Sequence, residues 1–413
     1  MTKLSVIIPC YNCADTLEAA VASVFGQEPA FAFDVTMVDD GSTDSTYAVM
    51  QRLAEQYPDV TLVRHTSNQG GGAARNTGVA KSNGDLVFCL DSDDILGPDF
   101  LRNMTRFWLK KKCDGVGMST SVKFRGKNLH DVAYVTEFEG PGRRVRFESF
   151  FEGPGCSLSV VFMMRRAAFE AVGGYPTEHG FDTQGMALRF LCGGLSAYTC
   201  PDTVYFHRVE FHESYYLREY ARGMLNWNWF CVLEEHLYVF SDQVKDAILS
   251  SDLFAVPGRP APRPLRSVVE GKADIYAPNR SRLVSLGREA VAHRFARSSD
   301  KFMQYWLGVQ AYSTGAYAAA IDHFRNALRG GFKYRIVYHR MLLAALRLSG
   351  RDVSGADGLR ELLLYAEPYP EDRLPLRHRI VLYALRNKLT GGPAQLLNSR
   401  WVRLRERWRQ KAS

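Results

Sequence analysis

Asp85-Leu86-Val87-Phe88-Cys89-Leu90-Asp91-Ser92-Asp93-Asp94 is the stretch on which the fold turns. Its unbroken apolar run reads as a strand buried on both faces, the kind found in parallel sheets covered by helices. The carboxylates of Asp91, Asp93 and Asp94 follow directly, and α/β sheets receive ligands beyond the C-terminal ends of their strands. Alternate residues of an extended segment point the same way, so Asp91 and Asp93 share a side. Two hard oxygen donors placed so can hold a divalent cation against a diphosphate. The plainer alternative is a solvated acidic turn leading into a helix near Pro98.

Upstream the same strand-to-helix pattern repeats. Leu4-Ser5-Val6-Ile7-Ile8-Pro9-Cys10-Tyr11-Asn12 is an apolar strand ended by proline, and Leu17, Ala20, Val21 and Val24 follow at helical spacing. Val35-Thr36-Met37-Val38-Asp39-Asp40-Gly41-Ser42-Thr43-Asp44-Ser45-Thr46 gives a strand, an acid pair, a Gly-Ser turn and a helix capped by Asp44 or Ser45. A third strand over 60–65 feeds Asn68-Gln69-Gly70-Gly71-Gly72-Ala73-Ala74-Arg75-Asn76-Thr77-Gly78. Strands and helices alternating at this length predict an α/β fold with a parallel sheet and right-handed crossovers.

In order and spacing, IIPCYN, VDDGSTDST, NQGGGAARNTG and LDSDD resemble the family 2 glycosyltransferases. The resemblance covers the first half of the chain and implies a GT-A fold, a Rossmann-like nucleotide-sugar domain with a mostly parallel sheet. It implies that Pro9 and Tyr11 line the nucleobase pocket, with Asn12 on the neighbouring turn. Asp40 would accept a hydrogen bond from the uracil imide, favouring uridine over cytidine. Gly70 to Gly72 let backbone pass close to phosphate, and Arg75 sets a fixed positive charge there. Asp93 would hold Mg²⁺ or Mn²⁺, with Asp91 bound to it through water or to the ribose. Arg75 and Asn76 read equally well as side chains fastening a helix N-terminus, and Asp39 as a turn former.

Further along, Gly153-Pro154-Gly155-Cys156-Ser157-Leu158-Ser159-Val160-Val161-Phe162-Met163-Met164-Arg165-Arg166, with Phe169, Val172 and Gly173-Gly174-Tyr175-Pro176, resembles the family's acceptor-side strand, short helix and turn. Members then have an acidic pair opening a helix, and its second acid is the catalytic base. Asp182 matches that base, whereas Phe181 stands where a glutamate is usual. One carboxylate suffices to deprotonate an acceptor hydroxyl in a single displacement, so Phe181 bears on acceptor choice first. Glu178 is the alternative base, and Asp182 also reads as an N-cap. In Val204-Tyr205-Phe206-His207-Arg208-Val209-Glu210-Phe211-His212-Glu213-Ser214 the resemblance implies a histidine reaching the metal. His207 and His212 both qualify, His212 in a His-x-Ser context.

With 413 residues, 46% of them hydrophobic, the chain has room for two or three globular domains. No apolar run of about eighteen residues and no charged-then-apolar leader is present, which points to a cytoplasmic protein. The eight cysteines are scattered, as expected of reduced thiols. Cys10 and Cys13 lack a second pair for zinc and read as structural.

The net charge of +8 is concentrated at 394–413, where Arg400, Arg403, Arg405, Arg407, Arg409 and Lys411 accompany Leu397, Trp401, Leu404 and Trp408 on one helical face. Such a helix either lies peripherally on the inner face of the plasma membrane or docks on the preceding domain. No recognised nucleic-acid-binding module accompanies it.

The segment 215–240 is aromatic-rich and reads as helical, and Val256-Pro257-Gly258-Arg259-Pro260-Ala261-Pro262-Arg263-Pro264 reads as a linker or surface arm. Trp306-Leu307-Gly308, Ala311-Tyr312, Gly315, Tyr317, Ala320-Ile321, Phe324 and Ala327-Leu328 resemble one tetratricopeptide repeat. Because a solenoid needs about three repeats, helices at 337–349, 358–365 and 376–389 are expected to complete it. The domains expected are therefore 1–215 (GT-A), 216–298 (helical extension and Pro-rich linker), 299–392 (tetratricopeptide-like) and 393–413 (basic amphipathic helix).

The activity implied is inverting, metal-dependent transfer from a UDP-sugar donor to a hydroxyl of a cell-surface polysaccharide or lipid-linked glycan. Two alternatives stand beside it: transfer to a protein or peptide docked on the helical domain, and a catalytically inactive scaffold that binds nucleotide sugar.

Overall fold

A computed structural model describes residues 2–209 except 128, 139, 146–155 and 179, scattered positions between 219 and 295, and 300–348 except 333–334. His212, residues 153–155, most of the aromatic segment, the Pro-rich 256–264, the helices expected at 358–365 and 376–389 and the basic 394–413 lie outside the described residues. The chain forms two compact units, Met1–Asn279 and Arg280–Ser413, divided inside the segment expected to link the domains.

In the first unit the chain order is β1 (Lys3–Cys10), α1 (Leu17–Phe25), β2 (Ala32–Asp39), α2 (Thr46–Gln56), β3 (Val60–Arg64), α3 (Gly71–Lys81) and β4 (Leu86–Cys89). It continues through β5 (Ile95–Leu96), α4 (Phe100–Lys111), β6 (Gly115–Gly117), β7 (Thr120–Phe124), β8 (Val132–Glu137), β9 (Phe162–Arg165), α5 (Arg166–Val172), α6 (Asp182–Cys192), β10 (Ala197–Thr199) and β11 (Val204–Arg208). The main sheet has seven strands in the order β10-β6-β9-β4-β1-β2-β3. Strands β1 to β4 pair in parallel, as do β6 and β10. Strand β9 is the exception, antiparallel to both neighbours. The connection from β6 to β9 runs through a second sheet instead of a crossover helix, so β9 enters from the opposite end. The architecture is the GT-A type expected, an α/β fold on a mostly parallel, mixed sheet.

Apolar periodicity explains the layers. Leu17, Ala20, Val21 and Val24 of α1 are fully buried against Leu4, Val6 and Ile8 of β1 and Phe88 of β4. On the other face of β1, α3 approaches so closely that a Cβ at Gly78 would lie 2.3 Å from the Ile7 side chain. The second sheet, β5-β11-β7-β8, is one that no motif in the sequence announces. Its β11 runs parallel to β7 and antiparallel to β5, which leads out of the LDSDD loop.

The second unit contains α7 (Asp300–Ser313), α8 (Tyr317–Arg329) and α9 (Arg335–Leu348). Gly308 of α7 faces Phe324 of α8, where a Cβ would meet the ring at 2.6 Å. The two helices of this hairpin therefore approach closely at Gly308. Among the described residues no helix is long and apolar enough to cross a membrane, and no disulfide joins the described cysteines to one another.

Candidate active site

The loops leaving β1 and β2 are tied together at the C-terminal edge of the main sheet. Asn12 adopts a left-handed conformation (φ 47) that turns the chain sharply after the strand. Its amide N–H donates to Ser42 Oγ (3.1 Å), and its side-chain oxygen accepts from the Thr43 amide (2.9 Å). Tyr11, one residue earlier, is 47% exposed, an unusual position for a large aromatic directly after the part-buried Pro9 and the buried Cys10. Asp39 is buried and spent on the turn, accepting from the Ser42 amide and pairing with Arg64. Asp44 Oδ1 accepts from the Thr46 amide, so it does the capping while Ser45 occupies the cap position.

Asp40 holds the next loop. Its Oδ1 lies 2.7 Å from His65 Nδ1 and accepts from the Gln69 amide (2.9 Å), while Oδ2 accepts from the Gly70 amide (2.8 Å). Each carboxylate oxygen takes about two hydrogen bonds, so Oδ2 keeps one acceptor position. Gly70 has φ 92, which only glycine adopts freely, and open space where a Cβ would be. The next two glycines are needed for closeness instead, since a Cβ at Gly71 would lie 2.8 Å from Asp182 Oδ2, and one at Gly72 only 1.9 Å from the Pro176 carbonyl oxygen. They bring α3 against the acceptor-side turn. Asn76 clamps that turn, donating to the Tyr175 carbonyl (2.9 Å) and accepting from the Tyr175 amide (2.8 Å).

Arg75 stands at the centre, 6% exposed. One guanidinium nitrogen pairs with Asp91 Oδ1 and another with Asp182 Oδ2. Its Nε is buried with no acceptor, and the guanidinium lies 5.6 Å from the centre of the Tyr175 ring. A single cation thus joins the loop after β4 to the first residue of α6. Burial pushes the Asp182 carboxyl up, and Arg75 opposes that rise. Asp182 is the first residue of α6 and Phe181 its N-cap, so the N-cap reading of Asp182 is corrected by one position. Its Oδ1 accepts from its neighbour's amide at Thr183 (2.9 Å). Glu178 is exposed on the turn before it. Phe181 is buried and packs against Trp229, ring centres 5.3 Å apart.

The three acids of LDSDD have distinct environments. Asp94 is buried, accepting from the Tyr205 hydroxyl (2.7 Å) and the Arg208 amide (2.7 Å). Burial, and then the Asp93 charge, push its carboxyl up. Asp91 belongs to Arg75. Among the described residues Asp93 has no side-chain partner beyond its own backbone, and burial with the Asp91 charge pushes it up to about 6. Among the described residues, too, no three His, Cys, Asp or Glu side chains form a ready cation cage. An unpaired carboxylate crowded by another fits a cation that completes its shell with diphosphate oxygens and water.

Beside this loop, Lys123 Nζ of β7 lies 2.6 Å from His207 Nδ1 of β11. Burial pulls Lys123 down to about 8 and His207 well below its ordinary value, the latter helped by the Lys123 charge. No motif in the sequence marks Lys123.

Residues 5–173 match the family described as Glycosyl transferase family 2. The poly(ribitol-phosphate) beta-glucosyltransferase of Bacillus spizizenii is 32% identical over 127 residues, 30% of this chain and 20% of that protein. A succinoglycan biosynthesis protein of Rhizobium meliloti is 35% identical over 116 residues, 28% of this chain and 31% of its own. The match to these relatives therefore spans a third of their length or less. A crystal structure of S. aureus TarS, residues 1–349, has a TM-score of 0.49 and 16% identity, covering 81% of this chain and 94% of its own.

Proposed function

On the premise that residues 5–173 are a family 2 glycosyl transferase domain, we propose that the chain transfers a sugar from a uridine diphosphate donor to a hydroxyl acceptor. The observation that carries this reading is Arg75, which brings the donor-side Asp91 and the acceptor-side Asp182 to one guanidinium. Single displacement needs these two functions within one substrate length: stabilisation of a departing diphosphate and removal of a proton from the attacking hydroxyl opposite it. Such a displacement inverts the anomeric carbon.

Each residue has its own part in this. Tyr11 offers an exposed ring for stacking on the base, and the spare acceptor position of Asp40 Oδ2 suits the uracil imide. Pro9, Asn12 and Gly70 shape the loops around it. Arg75 contributes positive charge to the diphosphate end. Asp93, with Asp91 beside it, would hold Mg²⁺ or Mn²⁺, which when bound offsets charge on the leaving diphosphate. Asp182 accepts the acceptor's proton. Burial raises its basicity, its pairing with Arg75 works against that rise, and a diphosphate that draws Arg75 away would remove the opposition. His212 remains a candidate cation ligand from outside the described residues.

The relatives whose names refer to poly(ribitol-phosphate) and succinoglycan support a polysaccharide or related cell-surface glycan as acceptor. The hairpin of α7 and α8 is the place where a protein partner would dock if the second unit recruits one. The test is turnover with a panel of UDP-sugars and glycan acceptors in the presence of Mn²⁺. Transfer with an inverted product supports the proposal, and nucleotide-sugar binding without transfer or hydrolysis would favour an inactive scaffold.

A further inference from the structure

The loop between β3 and α3 lies against the turn after β2, and one histidine joins them. The last register pair of β2 and β3 is Asp39 with Arg64, so Asp40 and His65 leave the sheet side by side. The His65 amide donates to the Asp39 carbonyl (2.8 Å), and a Cβ at Gly41 (φ 73) would lie only 2.6 Å from the Ser67 backbone. His65 Nδ1 lies 2.7 Å from Asp40 Oδ1, and its Nε2 lies 3.0 Å from Thr77 Oγ1 on α3. The imidazole is 9% exposed and the carboxylate 4%. A ring enclosed in this way and held at both nitrogens keeps one orientation. The Thr77 hydroxyl can donate or accept, so it completes the histidine in either tautomer.

The consequence falls on Asp40. Its Oδ1 has the Gln69 amide (2.9 Å) as well as His65, and its Oδ2 has the Gly70 amide (2.8 Å). At about two hydrogen bonds per oxygen, Oδ1 is full and the open acceptor position belongs to Oδ2 alone. Without His65 each oxygen would keep one amide and one open position, and the carboxylate would present two openings in different directions. The terminal torsion of an aspartate is broad, so its angle is set by these contacts. A single acceptor aimed one way is what reading a base edge requires. Uracil presents an imide N–H at the ring nitrogen where cytosine presents a lone pair, and a lone pair set against Oδ2 is repelled and left unpaired.

We propose that His65 is a positioning residue for donor specificity: it occupies Oδ1 of Asp40 and thereby aims Oδ2 at the base, sharpening the choice of uridine over cytidine. This rests on the donor-site reading above and extends it to a side chain outside the four motifs of the first half of the chain.

The test titrates the full chain calorimetrically with uridine diphosphate and cytidine diphosphate at one fixed Mn²⁺ concentration. His65→Leu should cut the ratio of the two affinities about tenfold, the lower value for a hydrogen bond to a charged group. His65→Asn carries its amide nitrogen where Nδ1 stood and should bring the ratio back to within about threefold of wild type. His65→Gln places its amide nitrogen where Nε2 stood, towards Thr77, and should not restore it. A histidine that merely supports the fold would change melting temperature and leave the ratio alone. A folded His65→Leu protein with the wild-type ratio overturns the proposal. Should His65→Leu not fold, the comparison passes to His65→Asn and His65→Gln, whose equal ratios would overturn it as well. Asp40→Ala separates the two levels. A ratio lost in Asp40→Ala but kept in the His65 variants removes the proposal alone, whereas a ratio that survives Asp40→Ala overturns the donor-site reading, and the proposal falls with it.

Discussion

Asp182 and Asp93 put the chemistry to its sharpest residue-scale trial, because their surroundings set opposite expectations. Asp182→Asn keeps a neutral isostere beside Arg75 and removes the proton acceptor, so transfer should fall by about two to four orders of magnitude. Calorimetry should find uridine diphosphate affinity nearly unchanged. Asp93 is ionised at a cost: its folded value of about 6 stands above the ordinary 3.8. The folded chain binds that proton more tightly than the unfolded one, so stability declines as pH rises from about 4 to about 6 and stays lowered above. Asp93→Asn should consequently raise folding stability at pH 7.5 by on the order of 1 kcal/mol at this partly screened site, seen as a higher melting temperature, and leave it unchanged at pH 4. In the wild type Mn²⁺ affinity should weaken below about pH 6, where a proton competes for the same carboxylate. Much of this was legible: LDSDD, Asp40 and Asp182 each stand in a local pattern. The Arg75–Asp182 contact was not, since 107 residues separate the partners and neither carries a mark of the other. Lys123 was invisible for the same reason, its neighbour being 84 residues away.

At the scale of elements, the close fit of α3 to the turn before α6 controls the geometry. Gly72→Ala would drive a methyl into the Pro176 carbonyl, a rigid backbone atom, and should cost about 2–3 kcal/mol in denaturant unfolding. Phe181 marks the departure from the family pattern, and its burial against Trp229 gives the physical reason. The N-cap of α6 is a buried aromatic contact, and a carboxylate put there would be taken out of water. Restoring the usual residue with Phe181→Glu should therefore lower stability by about 3 kcal/mol, against about 1 for Phe181→Leu. A Phe181→Glu protein as stable as wild type would show that the position opens to solvent. The sequence announced β1 to β4 and α1 to α3 because each carries its own periodicity. It was silent on β5, β7 and β8, where short, part-exposed strands owe their form to partners distant in the chain.

For the whole molecule, the two compact units give ligand effects a place to act. Uridine diphosphate with Mn²⁺ at about 100 times its dissociation constant should stabilise the first unit by about 2.7 kcal/mol. Calorimetry should then show one transition moving and the other fixed. A single transition that moves entire would mean that the units unfold together. The position of β9 has a consequence for biosynthesis. Strands β1 to β4 can pair as soon as residues 3–89 have left the ribosome, but β4 meets its remaining neighbour only when Phe162–Arg165 arrives. Until then the nascent chain presents Leu86-Val87-Phe88-Cys89 as an open, wholly apolar sheet edge. That interval is when chaperones would engage the protein, and when a pause in translation between codons 90 and 165 would expose it to edge-to-edge aggregation.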